Sequence, residues 1–261
     1  MKRSLVLALC AVAAATSGAF AATVTASNMS AEQVLERNAA ARGGLQAWRA
    51  VNSITLSGEL GAGGTREAKL PFTLTMKRPH KSRLELQVKD RPAVQAYDGK
   101  QGWKQRPYLN RDDIEPFSAV ELKSAAAAAE LDGPLIDAAR KGTKVEMLGM
   151  EPVEGKSTYK LAVTPANAPP MNVWVDATSF LEVKMDGEPR KLDGRMHKVA
   201  VYSRDYKAEG GLMIPHTLET VVEGVKQSHK MSIQTVKVNP SADDALFTRP
   251  AAGLGKAVAS R

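Results

Sequence analysis

The stretch NSITLSGEL, residues 52–60, alternates apolar and polar side chains. In an extended chain Ile54, Leu56 and Leu60 fall on one face, while polar side chains occupy most of the other. This period of two predicts a β-strand with one buried face and one solvated face. Such strands are typical of antiparallel sheets.

The same alternation returns along most of the chain. It covers residues 70–76, 84–88, 159–163, 171–175, 181–185, 212–222 and 231–233. Together with shorter pieces these predict about 11 strands. Turn sequences such as YDGKQGW, with a positive-φ turn at Asp98-Gly99, connect neighbours directly and favour a meander. No repeat or long linker divides the chain, so residues 30–250 are expected to form a single domain.

Two regions have helical rather than strand signals. Ser30 and Gln33 form a capping box that begins a helix ended by Gly43-Gly44, and a short helical piece, LQAWRA, follows. In the second region, SAVELKSAAAAAELDGPLIDAARKG at residues 118–142, Ser118 and Glu121 form another capping box. A helix is expected over residues 119–131, and Pro134 is expected to begin a further helix.

Three or four short helices can cover only a small part of the apolar face of a sheet of this size. The central helix carries Ala125–Ala129 rather than large side chains. Either the sheet curls into a barrel filled by its own side chains, or a cavity lies between sheet and helices. The cavity is the preferred interpretation, although high helix propensity alone also explains an alanine run.

The first residues read as a targeting segment. Lys2 and Arg3 precede an apolar run, and Ala19-Phe20-Ala21 resembles a cleavage site, so residues 1–21 are predicted to be a secretory signal peptide. Lipidation at Cys10 is the alternative, but Leu9 is too large for that signal. The mature chain is then expected to be soluble and free of cysteine. Residues 22–29 are expected to be a disordered leader and residues 251–261 a flexible tail.

The charge does not point to nucleic acid. The chain carries a formal net charge of +8, to which Lys2 and Arg3 contribute, and its basic residues are spread evenly. A solvated surface is the simpler interpretation, and proximity to anionic membranes is compatible with it. No run beyond residue 21 approaches the ~20 apolar residues of a membrane helix.

No motif in the sequence predicts a catalytic site. GMEPVEGKS, residues 149–157, has the wrong spacing for a phosphate loop and precedes a strand, so it predicts a hairpin turn. The four histidines are far apart, and the acidic clusters at 112–115 and 243–244 fit turns and caps. Trp48, Trp103 and Trp174 are expected to be packing residues. The sequence therefore predicts no enzyme, no metal and no cofactor.

Several segments together resemble a known family. They are AARGGLQAWRAVNSITLSGEL, YDGKQGW, LDGPLID, YKLAVT, SRDYKAEGGLMIPHTLE and NPSADDALF, and they span nearly the whole mature chain. In order and spacing they resemble the outer-membrane lipoprotein-sorting family, the LolA-like periplasmic carriers. The resemblance implies an unclosed, strongly curved antiparallel β-barrel, capped by a helical lid and enclosing an apolar cavity for acyl chains.

The expected site follows from this resemblance and from the alternating pattern. The cavity walls are predicted to be Leu56, Phe72, Leu74, Leu84, Leu86, Leu161, Val173, Val175, Leu181 and Val183, and the lid residues Val120, Leu131 and Leu135. Ordinary core packing is the alternative for each. A charged substitution at Leu86 or Val175 separates the two: lost lipid loading with an intact fold marks a wall, and unfolding marks core.

The predicted function is that of a soluble periplasmic carrier that shuttles lipoprotein acyl chains or other lipids toward the outer membrane. Its expected partners are the lipid cargo and, transiently, inner- and outer-membrane proteins of a transport system; the chain is expected to be a monomer and not to bind nucleic acid. The same fold also allows a lipid sensor or an accessory subunit of an envelope export system.

Overall fold

The alternating stretches form one large antiparallel sheet in a computed structural model that describes residues 29–61, 69–166 and 168–250. Its thirteen strands lie in the order β6-β5-β4-β3-β2-β1-β13-β12-β11-β10-β9-β8-β7. They are β1 (Ser53–Gly61), β2 (Lys69–Lys77), β3 (Lys81–Val88), β4 (Arg91–Tyr97), β5 (Gly102–Gln105), β6 (Ile114–Pro116), β7 (Lys144–Val153), β8 (Lys156–Thr164), β9 (Met171–Asp176), β10 (Glu182–Leu192), β11 (Arg195–Glu209), β12 (Leu212–Val222) and β13 (His229–Val238). The sheet thus has two strands more than the expected count of about 11.

Three α-helices accompany the sheet in the described part of the chain: α1 (Ala31–Ala41), α2 (Leu45–Arg49) and α3 (Ala119–Ala128). Both predicted capping boxes are confirmed: Ser30 and Gln33 begin α1, and Ser118 and Glu121 begin α3. Two short 3₁₀ helices, Pro107–Leu109 and Asp244–Leu246, complete the elements.

The second predicted lid helix, starting at Pro134, does not form. Residues 131–142 are a succession of turns, and α3 ends at Ala128, earlier than expected. Asp137 has a φ of 56°, a left-handed conformation that an α-helix does not accommodate. Its carboxylate accepts two hydrogen bonds from Arg49 of α2, which is distant in the chain. Tertiary contacts have therefore overridden the local helix signals.

The sheet is curled but not closed. Its edge strands β6 and β7 do not pair with each other. Helix α3 contacts β4 and β5 in one half of the sheet, and Ser124 on the same helix donates a 2.5 Å hydrogen bond to Glu188 on β10 in the other half. One short helix reaches both halves because the sheet bends around it. The predicted unclosed barrel with a helical cap is confirmed.

The turns of the sheet divide between two ends. One, the helix end, carries the turns at 98–101, 154–155, 177–181 and 210–211, and α1 packs there: Asn38 and Arg42 donate hydrogen bonds to the backbone carbonyls of Phe180 and Met213. The other, the hairpin end, carries the turns at 89–90, 193–194 and 223–228.

Candidate functional site

The concave face of the sheet, toward α1 and α2, carries two apolar clusters. The first joins β1, β2, β12 and β13 with α2 and Ile136, and the second joins β8 and β9 with α1 and Leu135. In the first, Leu56 lies opposite Leu74, which lies opposite Leu84. In the second, Leu161 lies opposite Val173. Each cluster is thus a row of cross-strand pairs, the arrangement that predicts a continuous apolar wall.

The two clusters differ in how completely they are covered. Leu161, Val173 and Val175 are 0% exposed, because α1 lies over them. Leu74 and Leu84, by contrast, are only partly buried where they pack against the first cluster. The concave face is therefore sealed beneath α1 and still partly accessible over β2 and β3.

Most of the predicted wall residues meet on this face. Leu56 and Phe72 belong to the first cluster, with Leu74, Leu84 and Leu86 packed against it. Leu161, Val173 and Val175 belong to the second cluster. The structure thus brings eight of the ten predicted wall positions onto one concave surface.

Leu181 and Val183 are not brought together with the other eight. A register shift separates Glu182 from Lys184, and Glu182 rather than either apolar neighbour lies opposite Val175. Leu181 and Val183 instead line a separate cavity of about 340 Å³ among charged side chains such as Glu154, Arg204 and Asp205. A β-bulge of this kind shifts side chains between faces, and a period of two does not reveal it.

The cover over the concave face comes from the lid segment, defined here as residues 129–142, more than from α3. Ala129, Leu135, Ile136 and Ala138 are all buried in this segment, whereas α3 has no buried residue. Of the predicted lid residues, Leu131 packs against the first cluster and Leu135 belongs to the second. Val120 is 70% exposed and belongs to neither cluster, so it differs from the expected lid lining.

A buried carboxylate fixes the lid segment to the rest of the fold. The Asp132 side chain is 3% exposed and accepts a 2.7 Å hydrogen bond from Arg78, the residue that follows β2. Arg78 also donates to the backbone carbonyl of Val51 at 2.7 Å. Lys141 donates to Asp132 from within the lid segment. The lid is thus tied to the strand that carries Leu74.

A second tie joins the lid segment to α2. Arg49 donates two hydrogen bonds of 2.8 Å to the two carboxylate oxygens of Asp137. These hydrogen bonds lower the pKa of Asp137 from its ordinary value. Burial pushes the pKa of Asp132 upward, but hydrogen bonds from Arg78 and Lys141 outweigh it and hold the pKa below the ordinary value of 3.8. Both carboxylates are therefore ionised at neutral pH.

Replacing Asp132 by Asn is expected to lower the free energy of unfolding by about 3 kcal/mol at pH 7, because Arg78 and Lys141 lose their buried partner. The folded pKa of Asp132 lies below its unfolded value, so its stabilising contribution is complete above about pH 4 and is lost as the pH falls further. Denaturant unfolding of both proteins between pH 7 and pH 2 measures the difference.

The exposed Asp90, in the turn between β3 and β4, supplies a matched control. Asp90→Asn is expected to change the free energy of unfolding by less than about 0.5 kcal/mol. A difference between Asp132→Asn and the unmodified protein that stays constant down to pH 2 would contradict the assigned role of the carboxylate.

A further buried ion pair, which the sequence did not reveal, fixes α1 to the sheet. Arg42, the residue that caps α1, donates a 2.7 Å hydrogen bond to Glu182 on β10. Its guanidinium also lies 4.6 Å from the ring centroid of Trp48. Tyr206 donates a 2.9 Å hydrogen bond to the backbone carbonyl of Glu182. Burial, with Glu182 nearby, raises the pKa of this tyrosine well above its ordinary value.

The remaining sequence motifs have structural roles. The predicted hairpin in GMEPVEGKS is confirmed as the turn between β7 and β8. In the first acidic cluster, Asp112 pairs with Arg91 and Glu115 with Arg106. The three tryptophans are buried, as expected. His216 is also buried, although a surface position was expected, and its Nδ1 lies 2.9 Å from the Ile233 carbonyl.

Comparison with solved structures identifies the fold. A LolA superfamily protein from Nitrosomonas europaea is similar over 85% of this chain and 98% of its own, with a TM-score of 0.55 and 14% sequence identity. An outer membrane lipoprotein-sorting protein domain from Vibrio parahaemolyticus matches over 83% and 97%, with a TM-score of 0.54 and 15% identity. A DUF1329 family protein from Desulfovibrio piger matches over 84% and 97%, with a TM-score of 0.56 and 11% identity.

The chain therefore has a LolA-like fold, which confirms the architecture implied by the sequence resemblance. At these identities the likeness concerns the fold alone. The first two proteins are described by their superfamily and by lipoprotein sorting, not as enzymes. No protein-family model and no curated protein sequence matches this chain.

Two other kinds of site are not found among the described residues. Within residues 29–61, 69–166 and 168–250, no helix is both long and apolar enough to cross a bilayer. The same ranges contain no group of three or more histidine, cysteine or acidic side chains arranged to hold a metal ion. The predicted signal peptide, most of the leader and the tail lie outside the described residues.

Proposed function

We propose that this protein is a non-enzymatic periplasmic carrier that binds the acyl chains of lipoproteins or other lipids on its concave face and shuttles them toward the outer membrane. The observation that carries the proposal is the uneven cover of that face. Leu74, Leu84 and Leu86 form a partly accessible apolar surface on β2 and β3, next to a lid held by polar ties.

The chemistry of this surface suits an acyl chain. A chain of sixteen carbons loses on the order of 10 kcal/mol when it moves into water, at ~0.8 kcal/mol per CH₂ group. Leucine side chains on neighbouring strands replace the lost apolar surroundings without directional contacts. A ligand held in this way can slide along the surface, which a transport protein requires.

The construction of the lid supports reversible access. Its apolar anchors, Leu135 and Ile136, are buried on the two clusters. Its polar ties run to Arg78 and Arg49, whose side chains are 32% and 37% exposed. Because both arginine side chains are partly exposed, opening the lid does not require transfer of an isolated charge into an apolar medium. We infer that the lid moves aside to admit a lipid over β2 and β3.

Titration with a fluorescent fatty acid, cis-parinaric acid, tests the binding half of this proposal. The expected result is saturable binding of about one molecule per protein at micromolar concentration, reversed by an excess of palmitate. The mass of the protein recovered from the periplasm tests the export half, since removal of residues 1–21 is expected. A protein that takes up no fatty acid after delipidation would contradict the carrier role, whatever its location.

A further inference from the structure

The hairpin between β10 and β11 extends beyond the sheet that carries it. The two strands pair with each other as far as Leu192 opposite Arg195. The last pair of β10 with its other neighbour, β9, is Met185 opposite Val173, and the last pair of β11 with β12 is Val199 opposite Val222. The outer part of the hairpin, residues 190–197, is thus a two-stranded ribbon that projects from the hairpin end.

The tip of this ribbon combines apolar and basic side chains. Leu192 is 37% and Met196 64% exposed, and neither belongs to an apolar cluster. Cross-strand partners share a face, so Leu192 lies beside Arg195 on one face and Met196 beside Lys191 on the other. Each face of the tip therefore presents one large apolar and one basic side chain to solvent.

The basic side chains of the tip have no structural role within the fold. Arg190, Lys191 and Arg195 are exposed, and no ion pair or hydrogen bond of their side chains is found in the described part of the chain. The acidic residues nearby are fewer than the three basic ones: Glu188 lies at the base of the ribbon and Asp193 in its turn. The tip therefore keeps a net positive charge.

A neighbouring turn extends the same surface. His197 lies next to the turn between β12 and β13, with its Nδ1 2.8 Å from the Glu223 carbonyl. That turn presents Val225, 38% exposed, followed by Lys226. Glu223 in the same turn is also exposed, so the turn adds apolar surface and no net charge. The Ser124 hydrogen bond to Glu188 places α3 against the base of the same ribbon.

We propose that the β10–β11 tip, residues 190–196, docks the protein on an anionic phospholipid membrane. Leu192 and Met196 enter the interfacial region of the bilayer, and Arg190, Lys191 and Arg195 bind lipid phosphates. Apolar side chains flanked by basic ones are the combination that such an interface favours, because long basic side chains reach the headgroups while their neighbours are buried. This docking surface does not depend on what the concave face carries.

Binding of the purified protein to vesicles tests the proposal. Vesicles of phosphatidylcholine with 30% phosphatidylglycerol are expected to bind the protein, whereas pure phosphatidylcholine vesicles are not. The triple variant Arg190→Gln, Lys191→Gln, Arg195→Gln is expected to lose about two orders of magnitude in partition coefficient. The double variant Leu192→Ser, Met196→Ser is expected to lose about tenfold.

A matched triple variant separates this site from general charge attraction. Lys100, Lys156 and Lys207 are exposed and lie toward the helix end of the sheet. That end is about 35 Å away along β10 at ~3.3 Å per residue. Changing these three lysines to Gln removes the same charge and is expected to reduce binding less than about threefold. Equal losses in the two triple variants, or no binding by the unmodified protein, would overturn the proposal.

Insertion of the tip into a bilayer can be followed by tryptophan fluorescence. Leu192→Trp places an indole at the end of the ribbon, whereas the three native tryptophans are buried. Anionic vesicles are expected to shift the emission of this variant to shorter wavelength and to leave the unmodified protein unchanged. Binding without that shift would show attachment by another surface and would overturn the docking of this tip.

Discussion

Replacing Leu86 by Asp is expected to abolish lipid uptake while leaving the protein folded. Leu86 lies opposite Phe72 on the concave face and is only partly buried. In the empty protein the new carboxylate stays hydrated, so the cost to stability is about 1–2 kcal/mol. A bound acyl chain would remove that water, and desolvation of a carboxylate without a partner costs several kcal/mol. The affinity for cis-parinaric acid is therefore expected to fall by at least about 100-fold.

The neighbouring residue provides the control for this prediction. Gln87 is exposed on the opposite face of β3, so Gln87→Asp introduces the same charge outside the concave face. Its affinity for the fatty acid is expected to remain within about twofold of the unmodified protein. If Leu86→Asp binds normally, lipid does not lie over β2 and β3. If Gln87→Asp is equally impaired, the effect is one of net charge.

Replacing Val175 by Asp is expected to have the opposite outcome and to unfold the protein. Val175 is 0% exposed and lies opposite Tyr159 beneath α1. A carboxylate there is shielded from water and lies opposite the buried Glu182, whose partner Arg42 is already engaged. The expected loss is therefore more than about 4 kcal/mol, a large part of the stability of an ordinary domain. Circular dichroism and urea unfolding at pH 7 measure it.

Val175→Ala distinguishes the effect of charge from that of lost volume. A smaller apolar residue removes packing only and is expected to cost about 1–3 kcal/mol, leaving a cooperative unfolding transition. If Val175→Asp remains folded and merely fails to bind lipid, the second cluster is part of the ligand surface and not a sealed core.

The contrast between Leu86 and Val175 also shows what the sequence could predict. Both residues occupy alternate positions in strands, and the period of two correctly placed both on the concave face. Periodicity does not indicate how much of that face the helices cover. Coverage depends on the positions of α1 and the lid segment. These positions are set by contacts between residues distant in the chain.

Those contacts are the part of the site that no local pattern revealed. Arg78 and Asp132 are separated by 54 residues, and Arg42 and Glu182 by 140. In the sequence each is one charged residue among many. The helix predicted to begin at Pro134 does not form for the same reason, since Arg49 holds Asp137 in a conformation that local signals do not predict. Capping boxes and turns, which depend on neighbours within four residues, were predicted correctly.

Native mass spectrometry with lipid extraction, on the protein purified from the periplasm without detergent, decides whether this protein carries lipid. We expect a stoichiometric adduct whose extracted mass is that of a phospholipid, a fatty acid or an acylated peptide, and which Leu86→Asp lacks. A protein that carries no adduct and takes up no fatty acid when it is offered would rule out lipid carriage, because its concave face would then serve only as core.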